Sequence, residues 1–254
     1  MKRALPLVLA LLLLGTGSLF AQGEQLVSLA HKFPPNQTVR YKIVQHITGT
    51  RTFPGSEKPV PIEAQVTSTV RMRCGQVSED GTATISTEIE SAAIKMGKHE
   101  TSAFSAGSNP RTLQVTPSGK VIFPPQEEQV QDGSPDRSGL MDSGAITPLI
   151  ILASLPEQPI AVGGSWSADV LLPSATAIKV ASTFQEVKDI SGERRATIKQ
   201  TQTTADDSPN KQKAQSTLVF GINAGRLLSA EGTVHSVVNT WTLDSKFSVE
   251  MLKE

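Results

Sequence analysis

Apolar residues recur at every second position through most of this chain. Val39, Tyr41, Ile43 and Ile47 share one phase, with Arg40, Lys42, His46 and Thr48 opposite them. Ile62, Ala64, Val66, Val70, Met72 and Cys74 alternate against Glu63, Gln65, Thr67, Thr69, Arg71 and Arg73. Ala83, Ile85 and Ile89 repeat the pattern against Thr84, Ser86, Glu88 and Glu90. The most regular case comes last, with Trp241, Leu243, Phe247, Val249 and Met251 set against Thr242, Asp244, Lys246, Ser248 and Glu250. A period of two with one dry and one wet face marks half-buried antiparallel strands, because parallel strands covered on both sides would read as unbroken apolar runs. The pattern predicts an all-β fold, mainly antiparallel, built as one curved sheet or an open barrel.

Two hairpins are punctuated alike. Arg111 to Thr116 turns through Pro117, Ser118, Gly119 and Lys120 into Val121, Ile122 and Phe123. Thr217 to Ile222 turns through Asn223, Ala224, Gly225 and Arg226 into Leu227 and Leu228. In each, glycine supplies the positive φ that a tight turn demands. Upstream, Val77 to Ile85 parallels Val187 to Ile198, each a strand end, a polar turn with glycine, and a new strand opening on Ala-Thr-Ile. Tyr41 and Trp166 each put one large aromatic at the first strand of the series. The shared order predicts a degenerate duplication, with halves over 33–123 and 156–254 that pack as one domain spanning 33–254.

Between the halves the text changes. Residues 124–147 form a polar, Pro-rich loop, without apolar periodicity from Pro124 to Ser138. Thr147 and Pro148 then suit an N-cap and a first helical position, and Pro156 closes the far side, which predicts a short helix over 148–155. With Leu149, Ile150, Ile151 and Leu152 that helix is apolar almost all round, so it should cover the dry face of the sheet or the seam between halves.

The start of the chain carries a different signal. Lys2 and Arg3 precede an apolar run from Ala4 to Leu14, then small residues up to Ala21. This reads as a cleaved signal peptide over 1–21, since the run is too short for a bilayer, which takes about 20 apolar residues. Export to the periplasm or the exterior follows, with 22–32 as a flexible lead. No later run has spanning length, so no transmembrane anchor is expected.

Charge is balanced, with 24 basic and 24 acidic residues and no block of one sign, which argues against nucleic acid or an anionic membrane surface as partner. The single cysteine, Cys74, lies on a dry strand face, so no intramolecular disulfide forms and the thiol reads as a small buried hydrophobe. Aromatics make up 4% of the chain, too few for the two girdles of a membrane barrel. His31, His46, His99 and His235 lack metal-ligand spacing and read as solvated. Gly163-Gly164-Ser165-Trp166-Ser167 misses the last glycine of a nucleophile elbow, and Glu88 with Glu90 reads as a solvated strand face. No catalytic residue, metal site or cofactor is predicted.

Val162-Gly163-Gly164-Ser165-Trp166, Arg195-Ala196-Thr197-Ile198 and Asn223-Ala224-Gly225-Arg226-Leu227-Leu228 together resemble uncharacterised exported bacterial all-β domains, with a Val-Gly-x-x-Trp first strand and a late Gly-Arg-Leu hairpin. The pattern is also similar in style to curved-sheet periplasmic carriers of the lipoprotein-localisation type. That resemblance implies a half-barrel that shelters acyl chains, although none of the carriers' functional residues has a counterpart here. The reading is an exported, non-enzymatic binding or scaffolding protein of the cell envelope, whose partner is an apolar small molecule or an envelope protein. An apolar ligand would sit between the dry face and the 148–155 helix, lined by Leu149, Ile150, Leu152, Trp166 and Trp241, residues that also suit plain core packing. The alternative is a hydrolase with a site assembled from loops.

Overall fold

The computed structural model describes residues 25–53, 55–56, 58–97, 99–105, 111–122, 151–171, 177–205 and 210–253. The 1–21 segment, the 124–147 loop and Leu149 and Ile150 lie outside them. The strands are β1 (Thr38–Arg51), β2 (Val60–Val77), β3 (Ala83–Met96), β4 (His99–Ser105), β5 (Arg111–Val115), β6 (Val121–Ile122), β7 (Ser165–Leu171), β8 (Ala177–Ile190), β9 (Glu193–Thr204), β10 (Lys211–Gly221), β11 (Arg226–Val238) and β12 (Trp241–Leu252). All join one antiparallel sheet in the order β6-β5-β3-β2-β1-β12-β11-β10-β9-β8-β7, with β4 paired to β3 beside this path. The first six strands and the last six therefore meet where β1 pairs β12.

The alternation read from sequence sets the faces. Tyr41, Ile43 and Ile47 on β1, Phe247 and Val249 on β12, and Val70, Met72 and Cys74 on β2 are all buried, while the intervening positions face outward. Both expected hairpins form, β5–β6 with Gly119 at φ 80° and β10–β11 with Gly225 at φ 62°. On the outer face, across β1, β2 and β3, Glu90 accepts from Arg40 Nε at 2.9 Å, and Arg71 pairs with both Glu88 and Glu90. The two glutamates thus form a half-buried ion ladder outside the barrel. Surface pairs of this kind contribute about 1 kcal/mol or less each.

Hydrogen bonds between distant turns show that the sheet curls. His31 N donates to Pro117 O of the β5–β6 turn at 2.7 Å, and the next residue, Lys32, donates to Gly225 O of the β10–β11 turn at 2.9 Å. In a flat sheet the five strand spacings between β5 and β11 would separate those turns by about 24 Å, yet adjacent Cα atoms lie only about 3.8 Å apart. The two sheet edges are also tied together. Leu155 N donates to Ser118 O beside β6 at 2.8 Å, and Trp166 Nε1 on β7 donates to Ser154 O at 3.0 Å. The result is a nearly closed antiparallel barrel of eleven strands, its seam bridged by residues 153–166.

Among the described residues no helix is long and apolar enough to cross a membrane. Of the span expected as a short helix, the described part, Ile151 to Leu155, is buried, and Ala153 to Leu155 run without regular structure. Residues 25–32, expected as the end of a flexible lead, are instead packed: Val27, Leu29 and His31 are buried. Val27 exchanges backbone hydrogen bonds with Ile160 at 2.8 and 2.9 Å. The cause is a short period-two run, Val27, Leu29, His31 and Phe33, that enters the barrel as an extended strap.

Candidate ligand site in the barrel interior

The straps close one end of the barrel. At that floor His31 is buried, stacked on Phe33 with ring centroids 5.6 Å apart and edge-on to Phe220 at 5.3 Å. Its Nε2–H donates to Ala153 O at 2.9 Å, which joins the two straps. Burial holds its pKa down at about 4, only partly opposed by the bond to Ala153, so the ring is neutral near pH 7. Gly119 is needed here: a Cβ at that position would sit 2.2 Å from Ala153 O and 3.1 Å from His31 Nε2. Nearby, Tyr41 donates its hydroxyl to Leu227 O at 3.1 Å, and burial pushes its pKa well above the ordinary phenol value, against the opposing charge of Arg226. A void of about 40 Å³ remains between His31, Phe33, Tyr41, Met72, Ile85 and Leu152. That is room for about one water, far below the roughly 300–1,000 Å³ of small-molecule sites. The floor is a plug.

Above the plug, strand register orders the interior into rows. One row runs Phe184–Ile198–Leu218–Ala230–Val249–Ile43–Ser68–Ala92. The next, further from the plug, runs Trp166–Ser182–Gln200–Ser216–Gly232–Phe247–Gln45–Val66–Ile94. Beyond it come Val180, Gln202, Ala214, Val234, Ser245, Ile47, Ala64 and Met96. The walls differ in chemistry. On β2 and β3 the inward residues are apolar apart from Ser68, and several are incompletely covered: Val66 and Ile94 are half-buried, Met96 is 46% exposed, and Ile89, level with Tyr41, is 36% exposed. On β8, β9 and β10 the same height carries buried Ser182, Gln200, Gln202 and Ser216. Gln202 Nε2 donates to Gln200 Oε1 at 2.9 Å, and Gln200 Nε2 donates to Ser182 Oγ at 3.2 Å.

The residues named from sequence fall at different heights. Leu152 lines the small void in the plug, and Trp166 is half-buried with its indole tied to the strap at Ser154. Trp241 lies at the far mouth, packed on the small cluster of Ile47, Ala64 and Leu243, with the Arg51 guanidinium 4.4 Å from its ring and 4.5 Å from that of Phe53. The structure thus brings Leu152 and Trp166 to one end and puts Trp241 at the other. His31, expected as solvated, is the buried centre of the plug, because the strap that carries it is interior. His46 and His235 are exposed as expected, His235 beside Asp244 at 2.8 Å. Sequence reasoning passed over Gln200 and Gln202, although they continue the dry phase of Ala196 and Ile198 and so mark polar groups on an inner face.

Among the described residues no group of three or more His, Cys, Asp or Glu side chains is placed to hold a metal ion. A shallow depression of about 830 Å³ lies at the plugged end beside Gln76, Ser78, Asp80, Thr84 and Gln114. Its one carboxylate, Asp80, is committed to Ser78 and Thr82, whose hydrogen bonds hold its pKa below the ordinary value. The interior remains the candidate site.

No family model matches the chain, and no curated protein matches it. Among solved structures it is similar to one described as lipid–protein interactions in lipovitellin, at 10% identity and a TM-score of 0.51, covering 87% of this chain and 26% of that one. The chain therefore spans about a quarter of the protein it matches. A second likeness, to an outer-membrane channel from Pseudomonas putida F1, has 9% identity and a TM-score of 0.26 over 87% of this chain and 97% of that one, and carries no argument. The lipovitellin likeness concerns fold alone: this chain is a curved antiparallel sheet, rolled into an open barrel, of the kind found in part of lipovitellin.

Proposed function

We propose that this protein is an exported binding protein that shelters a molecule with an apolar chain inside the barrel. The observation that carries the proposal is the β2–β3 wall: Ile89, Ile94 and Met96 point into the same interior as buried Ile43 and Ile47, yet stay partly open to solvent. An uncovered concave apolar surface costs free energy at about 25 cal/mol per Å², which a bound chain recovers. Barrels of about eight strands already hold one small ligand, and eleven leave more width. The void in the plug is too small, so on this reading the ligand lies between plug and mouth, against β2–β3.

Two further points support the reading. The lipovitellin likeness is to a protein whose structure is described by its lipid–protein interactions. The Lys2-Arg3 start and the run from Ala4 to Leu14 fit export to the periplasm or beyond, where curved-sheet carriers resembling this chain work. The role is binding, not catalysis. The test is solvent extraction and mass spectrometry of protein purified from its native source. Acyl-chain molecules at near-stoichiometric amounts are expected, with an N-terminus near Gln22. Lipid no more abundant than on an unrelated exported protein prepared in parallel would overturn the proposal.

A further inference from the structure

The interior is amphipathic without being charged, and this deepens the reading above, on which it rests. Between the plug and the mouth, the inward positions of the described strands hold no ionisable carboxylate or amine; the first cation is Arg51, at the mouth beside Trp241. Opposite the apolar β2–β3 wall stands the polar ladder, with Ser182, Gln200 and Ser216 directly paired across three adjacent strands. Its hydrogen bonds run one way, from Gln202 to Gln200 to Ser182. That direction leaves an acceptor at one end, Gln202 Oε1, and a hydroxyl donor at the other, on Ser182. Gln202 is only 5% exposed, and among the described residues nothing donates to its Oε1 or bonds Ser216 Oγ. Polar groups on an inner face are costly unless their hydrogen bonds are met. The two glutamines and two serines cluster on three adjacent strands, while Ser68, Gln45 and Ser245 stand singly on theirs, so the cluster is the natural seat for a polar partner.

We infer that the ligand is an acyl-chain molecule with a neutral, hydrogen-bonding head, an ester, amide or hydroxyl, which sits on the Ser182–Gln200–Gln202–Ser216 ladder while its chain lies on the β2–β3 wall. A hydroxyl or amide head offers both a donor to Gln202 Oε1 and an acceptor to Ser182, and an ester offers the acceptor. An ionised carboxylate meets no cation at that depth and would lose its hydration without compensation.

The test uses diphenylhexatriene, an uncharged hydrocarbon probe, bound to the purified protein at pH 8 and displaced by monododecanoylglycerol or by dodecanoate. The glycerol ester should displace the probe at a concentration about tenfold or more below that of the carboxylate. Gln202→Leu, close in size and unable to hydrogen-bond, should shrink the ratio to about threefold or less while diphenylhexatriene still binds, and Ser216→Ala should act in the same direction. Failure of wild-type protein to bind diphenylhexatriene would overturn the apolar-ligand reading itself. Probe binding with dodecanoate equal to or better than the ester would overturn only the neutral-head inference, and would move the head to Arg51.

Discussion

Protonation of His31 should loosen the plug, and its cost follows from the shift. Burial lowers its pKa from 6.5 to about 4. As pH falls below 6.5 the unfolded chain takes up the proton first, so the stability from keeping His31 neutral is complete above 6.5 and is lost between 6.5 and 4. At 1.36 kcal/mol per pKa unit the full loss is about 3 kcal/mol, of which about 2 kcal/mol falls between pH 7 and pH 5. Against a typical total of about 5–15 kcal/mol this is a large fraction. The comparison protein is His31→Gln, whose amide N–H can still reach Ala153 O but does not titrate. Its baseline stability should be lower, because the stacking on Phe33 and Phe220 is gone. Urea denaturation of both proteins at pH 7.5, 6 and 5 gives the test. The carboxylates of Asp80 and Glu186, which lie below their ordinary range, are common to both proteins and cancel in the difference. Wild type should lose about 2 kcal/mol more than the variant between pH 7 and pH 5. Parallel loss in the two proteins would show that His31 is not buried neutral.

Three further outcomes are expected. Cys74, buried with its thiol pKa pushed up, should stay unreacted with a thiol reagent until the protein is denatured, and prompt labelling of native protein would contradict that placement. Trp241→Ala should cost about 2 kcal/mol, less than the roughly 3–5 of a fully buried large aromatic, because Trp241 is half-buried at the mouth; outward Thr242→Ala should cost under about 1 kcal/mol, and chemical denaturation showing equal losses would refute the assignment of faces. Gly119→Ala should cost clearly more than Gly192→Ala, since both glycines have φ near +80° but only Gly119 abuts the strap; similar melting temperatures for the two variants would mean that the plug contact carries no weight.

Much of the fold was legible because period-two alternation encodes facing directly. The inner faces of β1, β2 and β12 and the two glycine turns follow from it. What alternation leaves out is height along the barrel. Trp166 and Trp241 share the inner face but lie at different heights, a difference fixed by strand register: Trp166 lines up through Ser182, Gln200, Ser216 and Gly232 with Phe247, well along β12 from Trp241. His31 was hidden for another reason: its partner Ala153 lies 122 positions away, and only a curled sheet brings the two straps together. The alternation of Val27, Leu29, His31 and Phe33 was the available clue. Gln200 and Gln202 were legible in phase, yet their value as a ladder depends on Ser182 and Ser216 arriving beside them on neighbouring strands.

The central claim, an apolar chain held against the inward face of β2–β3, is tested most directly by placing one charge on either side of the same strand. Ile94 faces the interior and Lys95 faces outward. Diphenylhexatriene titrations of Ile94→Glu and Lys95→Glu, each checked for wild-type circular dichroism, compare the two faces at neighbouring positions. Ile94→Glu should abolish binding, because a chain on that wall would have to strip water from a carboxylate, and Lys95→Glu should leave the affinity within about twofold of wild type. Undiminished binding in Ile94→Glu, or equal loss in both variants, would contradict a ligand seated in the barrel interior.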